Sequence, residues 1–269
     1  MKEVAIVYML AGLSKRFGGK PKGLAKIGPN NETLMECSLK QSVPAGFKKI
    51  IFVVSEKTKE SFMQAFGQSY KGVSIYYAVQ DFDSKTRDKP WGTLDALCAA
   101  KKFIDCPFVV CNGDDLYGEE PFKIIVNHLK NENNGTTAAY KLKEVLSEKG
   151  VVNRAIFETD KENFVTSITE VIGLSNANLQ EKSFSQESPC SMNIFGFQKE
   201  TIIHFQEALE EFKRLHKGDR TAECYLPEET GNLIKSKKLK LMLYPTNSQW
   251  IGLTNPEDEE KAKIKLAKA

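Results

Sequence analysis

Two adjacent aspartates that follow an apolar run are the residues best placed to do chemistry. Phe108–Cys111 is continuously apolar, as is typical of a buried strand, and Asn-Gly-Asp-Asp follows at 112–115. Carboxylates at the end of a buried strand are costly to desolvate unless water or a cation meets them. Their hard oxygens suit Mg²⁺, which also bridges phosphates. The pair therefore indicates a metal site, although the same four residues also suit an ordinary turn.

A loop rich in glycine and lysine follows the first predicted strand, Val4–Leu10. Residues 11–22 contain three glycines and the four cations Lys15, Arg16, Lys20 and Lys22. Glycines let the backbone approach a ligand closely, and cations neutralise phosphate oxygens. Neither the P-loop pattern nor G-x-G-x-x-G occurs in this loop. The residues thus favour a triphosphate-binding loop, with a solvated basic loop as the alternative.

Two smaller features support a nucleotide site. Gly92 and Thr93 open a predicted helix, with Thr93 as a candidate N-cap, and a glycine there lets a flat base pack on the backbone. Gln80 directly follows a predicted strand, where its amide could hydrogen-bond a base edge.

Strands and helices alternate in the first half of the chain. The further predicted strands are Ile50–Val54 and Val73–Val79, and the predicted helices are Thr33–Ser42, Glu56–Phe66, Thr93–Phe103 and Glu119–Lys130. Such alternation implies a mostly parallel sheet with helices on both faces. Ligands bind at the carboxyl ends of the strands in such sheets. We therefore expect the site just after Leu10, Val79 and Cys111.

The second half is less regular. We predict a meander of three strands, Thr136–Leu142, Val151–Phe157 and Phe164–Glu170, followed by a polar loop over Asn176–Ser188. A strand, Ser191–Phe197, and a long helix, Lys199–His216, come next. A last strand, Leu239–Tyr244, and a closing helix, Pro256–Lys268, complete the chain's predicted elements. No linker or repeat is visible, so we expect one α/β domain over residues 1–269 with a C-terminal helix.

Composition excludes several classes. Apolar residues make up 41% and charged residues 27%, and the net charge of +3 is low for a nucleic-acid binder. The basic run Lys235–Lys240 reads as a solvated helix end. No apolar run could span a membrane, and the six cysteines form no C-x-x-C pair, which argues against zinc. We expect a cytoplasmic protein with neither nucleic acid nor membrane as a partner; the oligomeric state stays open.

Taken together, these motifs resemble the sugar-phosphate nucleotidyltransferases, also called nucleotide-sugar pyrophosphorylases. The family's opening L-A-A-G-x-G-x-R, with P-K later, is similar to residues 10–16 and Pro21-Lys22. Its G-T-A is similar to Gly92-Thr93-Leu94, and its G-D-x-x-x-G to residues 113–118. Residues 191–197 resemble its sugar-side strand. The likeness extends over nearly the whole chain.

The resemblance implies a three-layer α/β/α fold with a mostly parallel, mixed sheet. It also implies a Mg²⁺-dependent reaction of a nucleoside triphosphate with a phosphorylated small molecule, a sugar 1-phosphate, and release of pyrophosphate. The implied residues fall into four groups: Leu10, Ala11, Gly12, Gln80, Gly92 and Thr93 for the nucleotide; Arg16 and Lys22 for the triphosphate; Asp114 for the metal and catalysis; Glu170 and Asn193 for the acceptor.

The chain departs from the family pattern at three positions. Ser14 replaces a usual glycine, and Val171 stands where many relatives have a lysine that holds the acceptor phosphate. Gly252 stands where the late W-x-D-x-G motif has an aspartate, often the second metal ligand. Val171 and Gly252 leave a non-catalytic nucleotide-binding domain open as an alternative. A second alternative is a glycosyltransferase with a nucleotide-sugar donor, in which Asp114-Asp115 would be the acidic metal motif.

Overall fold

A ten-stranded sheet organises the chain. The computed structural model describes residues 2–12, 21–146, 150–253 and 258–267. Its strands are β1 Ala5–Met9, β2 Lys49–Val54, β3 Ser69–Tyr70, β4 Val73–Val79, β5 Phe108–Asn112, β6 Asp115–Leu116, β7 Gly135–Lys141, β8 Val152–Thr159, β9 Val165–Leu174, β10 Pro189–Phe197, β11 Leu241–Pro245 and β12 Ile251–Gly252. The α-helices are α1 Leu34–Ser42, α2 Glu56–Phe66, α3 Thr93–Ala99, α4 Glu119–Asn131, α5 Leu142–Val145, α6 Thr201–Leu215, α7 Leu226–Lys235 and α8 Asp258–Leu266.

The strand order of the main sheet is β11-β7-β10-β5-β1-β2-β4-β3. Strands β5, β1, β2 and β4 run parallel to one another, as do β7 and β11. Strand β10 is antiparallel to both of its neighbours, β5 and β7. The sheet is therefore mixed and mostly parallel, as predicted.

Helices cover both faces of this sheet. Alternate residues of β1 enter two different cores: Ile6 and Tyr8 pack under α1, α2 and α4, whereas Ala5 and Val7 pack under α3, α6 and α7. Burial on both faces explains why β1 is a continuous apolar run. The three-layer α/β/α fold is confirmed.

Local sequence sets several helix boundaries. A capping box starts α1: the Glu36 amide donates to Thr33 Oγ1, and the Thr33 amide donates to Glu36 Oε2. A short 3₁₀ turn that contains Pro44 follows this helix, and the left-handed Gly46 closes it. No helix among the described ranges is long and apolar enough to cross a membrane.

Two predictions for the elements were wrong in detail. The expected meander does not form, because β10 lies between β7 and β8. Of its three predicted strands, the last two pair as the β8–β9 hairpin. The predicted helix Thr93–Phe103 ends as an α-helix at Ala99 and continues as a 3₁₀ turn over Lys101–Phe103. The polar stretch 176–188 is a series of turns, as predicted.

Strand β10 changes one of its partners along its length. At its start, Ser191 pairs with Ala155 of β8, and further on Phe195 pairs with Val110 of β5. Between these points β10 advances four residues while β7 advances two. The resulting bulge contains Asn193, whose φ of 59° is left-handed. The bulge separates the β8–β9 hairpin from the end of β5 and leaves a cleft between them.

We predict that Phe52→Ala on β2 lowers the free energy of unfolding by about 3–5 kcal/mol in urea denaturation. Phe52 is fully buried, and its ring lies 5.5–6.0 Å from the rings of Tyr8, Phe62, Phe66 and Tyr77. Ile203→Ala serves as the control, because Ile203 is 50% exposed and should change stability by about 0.5 kcal/mol. Equal losses for both variants would contradict this description of the core.

Candidate functional site

Two adjoining cavities open at the carboxyl ends of the central strands. The smaller has a volume of about 530 Å³ and the larger about 910 Å³. They share five lining residues: Lys22, Thr93, Asn112, Asp114 and Asn193. A molecule in one cavity therefore meets a molecule in the other at this shared wall.

The smaller cavity lies where the strand pattern placed the site. Its wall includes Leu10, Ala11 and Gly12 after β1 and Gln80 after β4, together with the residues after β5. The Leu10 amide donates to the Val53 carbonyl oxygen, which fixes the start of this loop beside β2. The structure thus brings the predicted nucleotide-binding residues together; their roles stay predictions.

Gly92 is required by a close backbone approach. Its φ is 94°, and a Cβ there would lie 2.5 Å from the Cys224 carbonyl oxygen. The same approach forms two hydrogen bonds, from the Cys224 amide to the Trp91 carbonyl and from the Leu94 amide to the Cys224 carbonyl. Gly92 therefore fastens the start of α3 to the segment before α7.

The prediction of Thr93 as the N-cap was wrong. Gly92 occupies the N-cap position, and Thr93 is the first residue of α3. The Thr93 hydroxyl instead accepts a hydrogen bond of 2.9 Å from the Leu226 amide, at the start of α7. Thr93 still lines both cavities, so it links the two helices at the shared wall.

An ion pair spans the shared wall. Lys22 Nζ lies 2.9 Å from Asp114 Oδ2 and 3.0 Å from the Leu253 carbonyl oxygen, to which it also donates. Both side chains remain partly exposed, at 21% and 37%. A cation thus already meets the Asp114 carboxylate at the point where the cavities join.

Asp115 faces a different environment from Asp114. It is buried, and its Oδ2 accepts hydrogen bonds from Asn112 Nδ2 at 2.8 Å and from the Tyr117 hydroxyl at 3.3 Å. Burial, with the negative charge of Asp114 as the second cause, raises the pKa of Asp115 to about 7. Only Asp114 lines the smaller cavity, whereas both carboxyls line the larger one.

Gly252 leaves no room for the aspartate that relatives have. It pairs with Asp115 across β12 and β6. A Cβ at residue 252 would lie 2.2 Å from Trp250 Cζ2 and 2.8 Å from Asp115 Oδ1. The carboxylate nearest to this position is therefore that of Asp115, on the opposite strand.

The larger cavity lies between β10, the β8–β9 hairpin and α7. The predicted acceptor residues Glu170 and Asn193 both line it, and Asn193 also lines the smaller cavity. Partial burial raises the pKa of Glu170, while the charge of Arg154 opposes that rise. Polar groups and apolar side chains alternate on the wall, with Thr169, Asn232 and Tyr225 beside Ile168 and Trp250.

Arg154 is a site residue that the sequence argument missed. It pairs directly with Val171 across the β8–β9 hairpin. Val171 is the residue that stands in place of the lysine of the family pattern. Arg154 Nη2 and Nε donate to the Val145 carbonyl oxygen at 2.7 Å and 3.1 Å, and its guanidinium stands 5.4 Å from the Trp250 ring centre. It lines the larger cavity. A single arginine inside a predicted strand was the available clue.

A second missed feature lies at the edge of the smaller cavity. Lys89 Nζ donates to Glu223 Oε2 at 2.5 Å, and both residues line that cavity. Nothing in the spacing of these residues, far apart in the chain, indicated the pair. Arg16, with its neighbours Lys15 and Lys20, lies outside the described residues.

The described residues contain no group of three or more histidine, cysteine, aspartate or glutamate side chains that could hold a metal ion. Mg²⁺ in phosphate-transfer sites needs only one or two carboxylates, because waters and phosphate oxygens complete its shell. Asp114 and Asp115 supply carboxylates of this kind on the wall of the larger cavity. The donor set fits Mg²⁺ bound together with a phosphorylated ligand.

Comparison with known families and structures agrees with this geometry. The family model described as nucleotidyl transferase matches residues 18–228, more than half of the chain. The sequence matches no curated protein.

Three solved structures share the fold over nearly the whole chain. A Bacillus anthracis protein assigned as a glucose-1-phosphate thymidylyltransferase, solved with sucrose, has a TM-score of 0.68 and 14% identity; 99% of this chain and 96% of that one are covered. The inositol-1-phosphate CTP transferase from T. maritima has a TM-score of 0.68 and 16% identity, with 98% and 96% covered. A UDP-glucose pyrophosphorylase with UDP-glucose has a TM-score of 0.70 and 16% identity, with 100% and 99% covered.

We predict that Gly92→Ala destabilises the protein and weakens triphosphate binding, because it adds both a strained φ and a backbone clash. Gly67→Ala is the matched control: its φ is 60°, but nothing lies within 4 Å of the added Cβ. The control should lose about 1–3 kcal/mol from strain alone. Urea denaturation should show a larger loss for Gly92→Ala. Equal losses would mean that the segment around Cys224 moves away freely.

Proposed function

Since the chain belongs to the nucleotidyl transferase family, we propose that it joins a nucleoside triphosphate to a sugar phosphate, or a similar phosphorylated small molecule, and releases pyrophosphate. The shared wall of the two cavities is the observation that carries this proposal. The smaller cavity holds the nucleotide and the larger one the acceptor. Their reacting phosphates then meet beside Lys22 and Asp114.

The reaction depends on the positioning of the two phosphates and on the neutralisation of their charge more than on a general base. The acceptor phosphate is already anionic, and it attacks the α-phosphorus in line while pyrophosphate leaves. Lys22 lies on the shared wall, where its ammonium stabilises charge that develops on the phosphates. Arg16 is proposed to assist on the pyrophosphate side.

Asp114 and Asp115 are proposed to hold Mg²⁺, with Asp115 in place of the aspartate that Gly252 cannot supply. An ion held by these two carboxylates would supply positive charge next to the attacked phosphate. The Asp114 carboxylate accepts a hydrogen bond from the Lys22 ammonium. The same carboxylate would therefore position both Lys22 and the Mg²⁺ ion. We propose that Lys22 moves onto the phosphates when the substrates and the ion are bound.

The acceptor side has its own cation. We propose that Arg154 takes the place of the lysine missing at residue 171 and binds the acceptor's phosphate or another anionic group. Arginine presents a fork of donors, and only part of the Arg154 fork is used by the Val145 and Asn153 carbonyls. Glu170 and Asn193 bind the hydroxyl groups of the acceptor.

The six cysteines are free thiols, which supports a reducing compartment, and we propose the cytoplasm. The three solved structures are named for thymidylyl transfer, CTP and UDP-glucose. We therefore propose a pyrimidine triphosphate, dTTP, CTP or UTP, as the first candidate for the nucleotide substrate.

The function is tested by incubation of the protein with Mg²⁺, one of CTP, UTP, GTP, ATP or dTTP, and a pool of sugar and polyol phosphates. We expect pyrophosphate release that requires both a triphosphate and an acceptor, and that stops when EDTA removes the metal. Binding without release would favour a non-catalytic domain. Absence of both would favour the glycosyltransferase.

In the same assay, Asp114→Ala should lower kcat by at least about 100-fold, because it removes both a metal ligand and the partner of Lys22. The control is Asp105→Ala, which breaks an exposed ion pair of 2.7 Å with Lys49. It should leave kcat within about twofold of the parent protein. Near-normal turnover of folded Asp114→Ala would overturn the proposed role of this residue.

We predict that Arg154→Gln raises the KM for the acceptor about tenfold and leaves the KM for the triphosphate nearly unchanged. The reason is that Arg154 lines only the larger cavity. Arg214→Gln is the control, since Arg214 pairs with Glu211 on the exposed side of α6. Steady-state kinetics with each substrate varied in turn separate the two constants. An equal rise in both would contradict an acceptor-side role.

A further inference from the structure

The amide of Gln80 has a fixed orientation. Gln80 is 7% exposed, and its Nε2 donates to the Gly92 carbonyl oxygen at 3.0 Å and to Asp95 Oδ2 at 2.8 Å. A backbone carbonyl oxygen and a carboxylate oxygen accept hydrogen bonds and do not donate them. If the amide turned over, its oxygen would face two acceptor oxygens. The nitrogen therefore points toward α3.

Asp95 is itself held by a residue from another helix. Its Oδ1 accepts from Lys213 Nζ of α6 at 2.5 Å, and its side chain is 10% exposed. Lys213 also lies 5.8 Å from the Trp91 ring centre. Both carboxylate oxygens of Asp95 therefore accept a hydrogen bond, one from Gln80 and one from Lys213. A chain of contacts thus runs from α6 through Asp95 to Gln80.

This chain of contacts leaves the carboxamide oxygen of Gln80 for a ligand. Gln80 lines the smaller cavity, and no hydrogen bond to its Oε1 is formed within the described ranges 2–12, 21–146, 150–253 and 258–267. A carboxamide oxygen on a cavity wall can accept a hydrogen bond from a donor of a bound ligand. The oxygen is therefore suited to an N–H group of the base.

We propose that Asp95, held by Lys213, is a positioning residue that makes Gln80 present an acceptor to the base and thereby favours bases with a ring N–H. The inference rests on the proposed function, because it assigns the smaller cavity to the triphosphate. Uracil and thymine carry a hydrogen on N3 and guanine carries one on N1. Cytosine and adenine have a bare nitrogen at the same place. With these two bases, the Gln80 oxygen and the bare ring nitrogen are two acceptors that face each other with no hydrogen between them. This should weaken binding of the triphosphate about tenfold or more.

The test compares UTP and CTP, which have nearly the same shape and opposite polarity at N3. Dissociation constants are measured by calorimetry with Mg²⁺ and without acceptor, for the parent protein and for Asp95→Asn. In the variant, Lys213 attracts the side-chain oxygen of the new asparagine, so that the asparagine NH₂ group faces Gln80. This NH₂ group donates to the Gln80 carboxamide oxygen, which favours the Gln80 amide turned over, with its own NH₂ group toward the base. The parent should bind UTP at least about tenfold more tightly than CTP, and the variant should lower that ratio about tenfold.

Two variants serve as controls. Lys213→Gln removes the same ion pair but keeps an acceptor on Asp95, so the UTP to CTP ratio should persist even if stability falls. Asp105→Asn alters an exposed aspartate far from Gln80 and should change neither constant. GTP and ATP form a second pair of ligands that differ in the same way, at N1. The parent protein should prefer GTP to ATP, and Asp95→Asn should lower that preference.

A probe that needs no variant covers the case in which Asp95→Asn fails to fold. 3-Methyl-UTP carries no hydrogen on N3, so the parent protein should bind it at least about tenfold more weakly than UTP. Equal binding of the two, a parent preference for CTP, or equal losses for UTP and CTP in folded Asp95→Asn would each overturn the inference and leave the proposed function intact. Failure of the parent to bind any triphosphate would reject both.

Discussion

The change of partner along β10 is the constraint on which the site depends. One strand must pair with β8 at its start and with β5 at its end, and the extra residues of the bulge make this possible. Asn193 lies in that bulge with a left-handed backbone, and its amide donates to Ser191 Oγ at 3.2 Å. The cleft exists because the two partners of β10 diverge there. Asn193 is therefore one of the five residues that line both cavities.

Charge is distributed unevenly around this cleft. Lys22 stands on the shared wall, Lys89 at the edge of the smaller cavity, and Arg154 inside the larger one. Each of the two lysines has a carboxylate partner, whereas the guanidinium bonds to backbone carbonyls. A ligand phosphate can draw a lysine away from its carboxylate. It can approach the arginine without breaking an ion pair, so the two substrates meet different kinds of cation.

The sequence predicted the layers and the edge of the sheet that forms the site, because continuous apolar runs such as β1 and β5 are buried on both faces. It did not predict that β10 lies between β7 and β8, since the pairing of strands far apart in the chain leaves no local pattern. Gln80 was found as a residue after a strand. Its partners Asp95 and Lys213 were not, because one helix residue looks like any other until two helices meet. Arg154 was missed because its place opposite Val171 depends on the pairing of β8 with β9.

The packing around Gly252 bears on the history of this chain. The indole of Trp250 and the carboxyl of Asp115 fill the space that a side chain at residue 252 would need. An aspartate could return there only if the tryptophan moved and the buried acid gave way. Reversal of this one departure from the family pattern thus requires coordinated changes at Asp115 on β6 and at Trp250 just before β12. Such interdependence makes the present arrangement hard to leave by single substitutions.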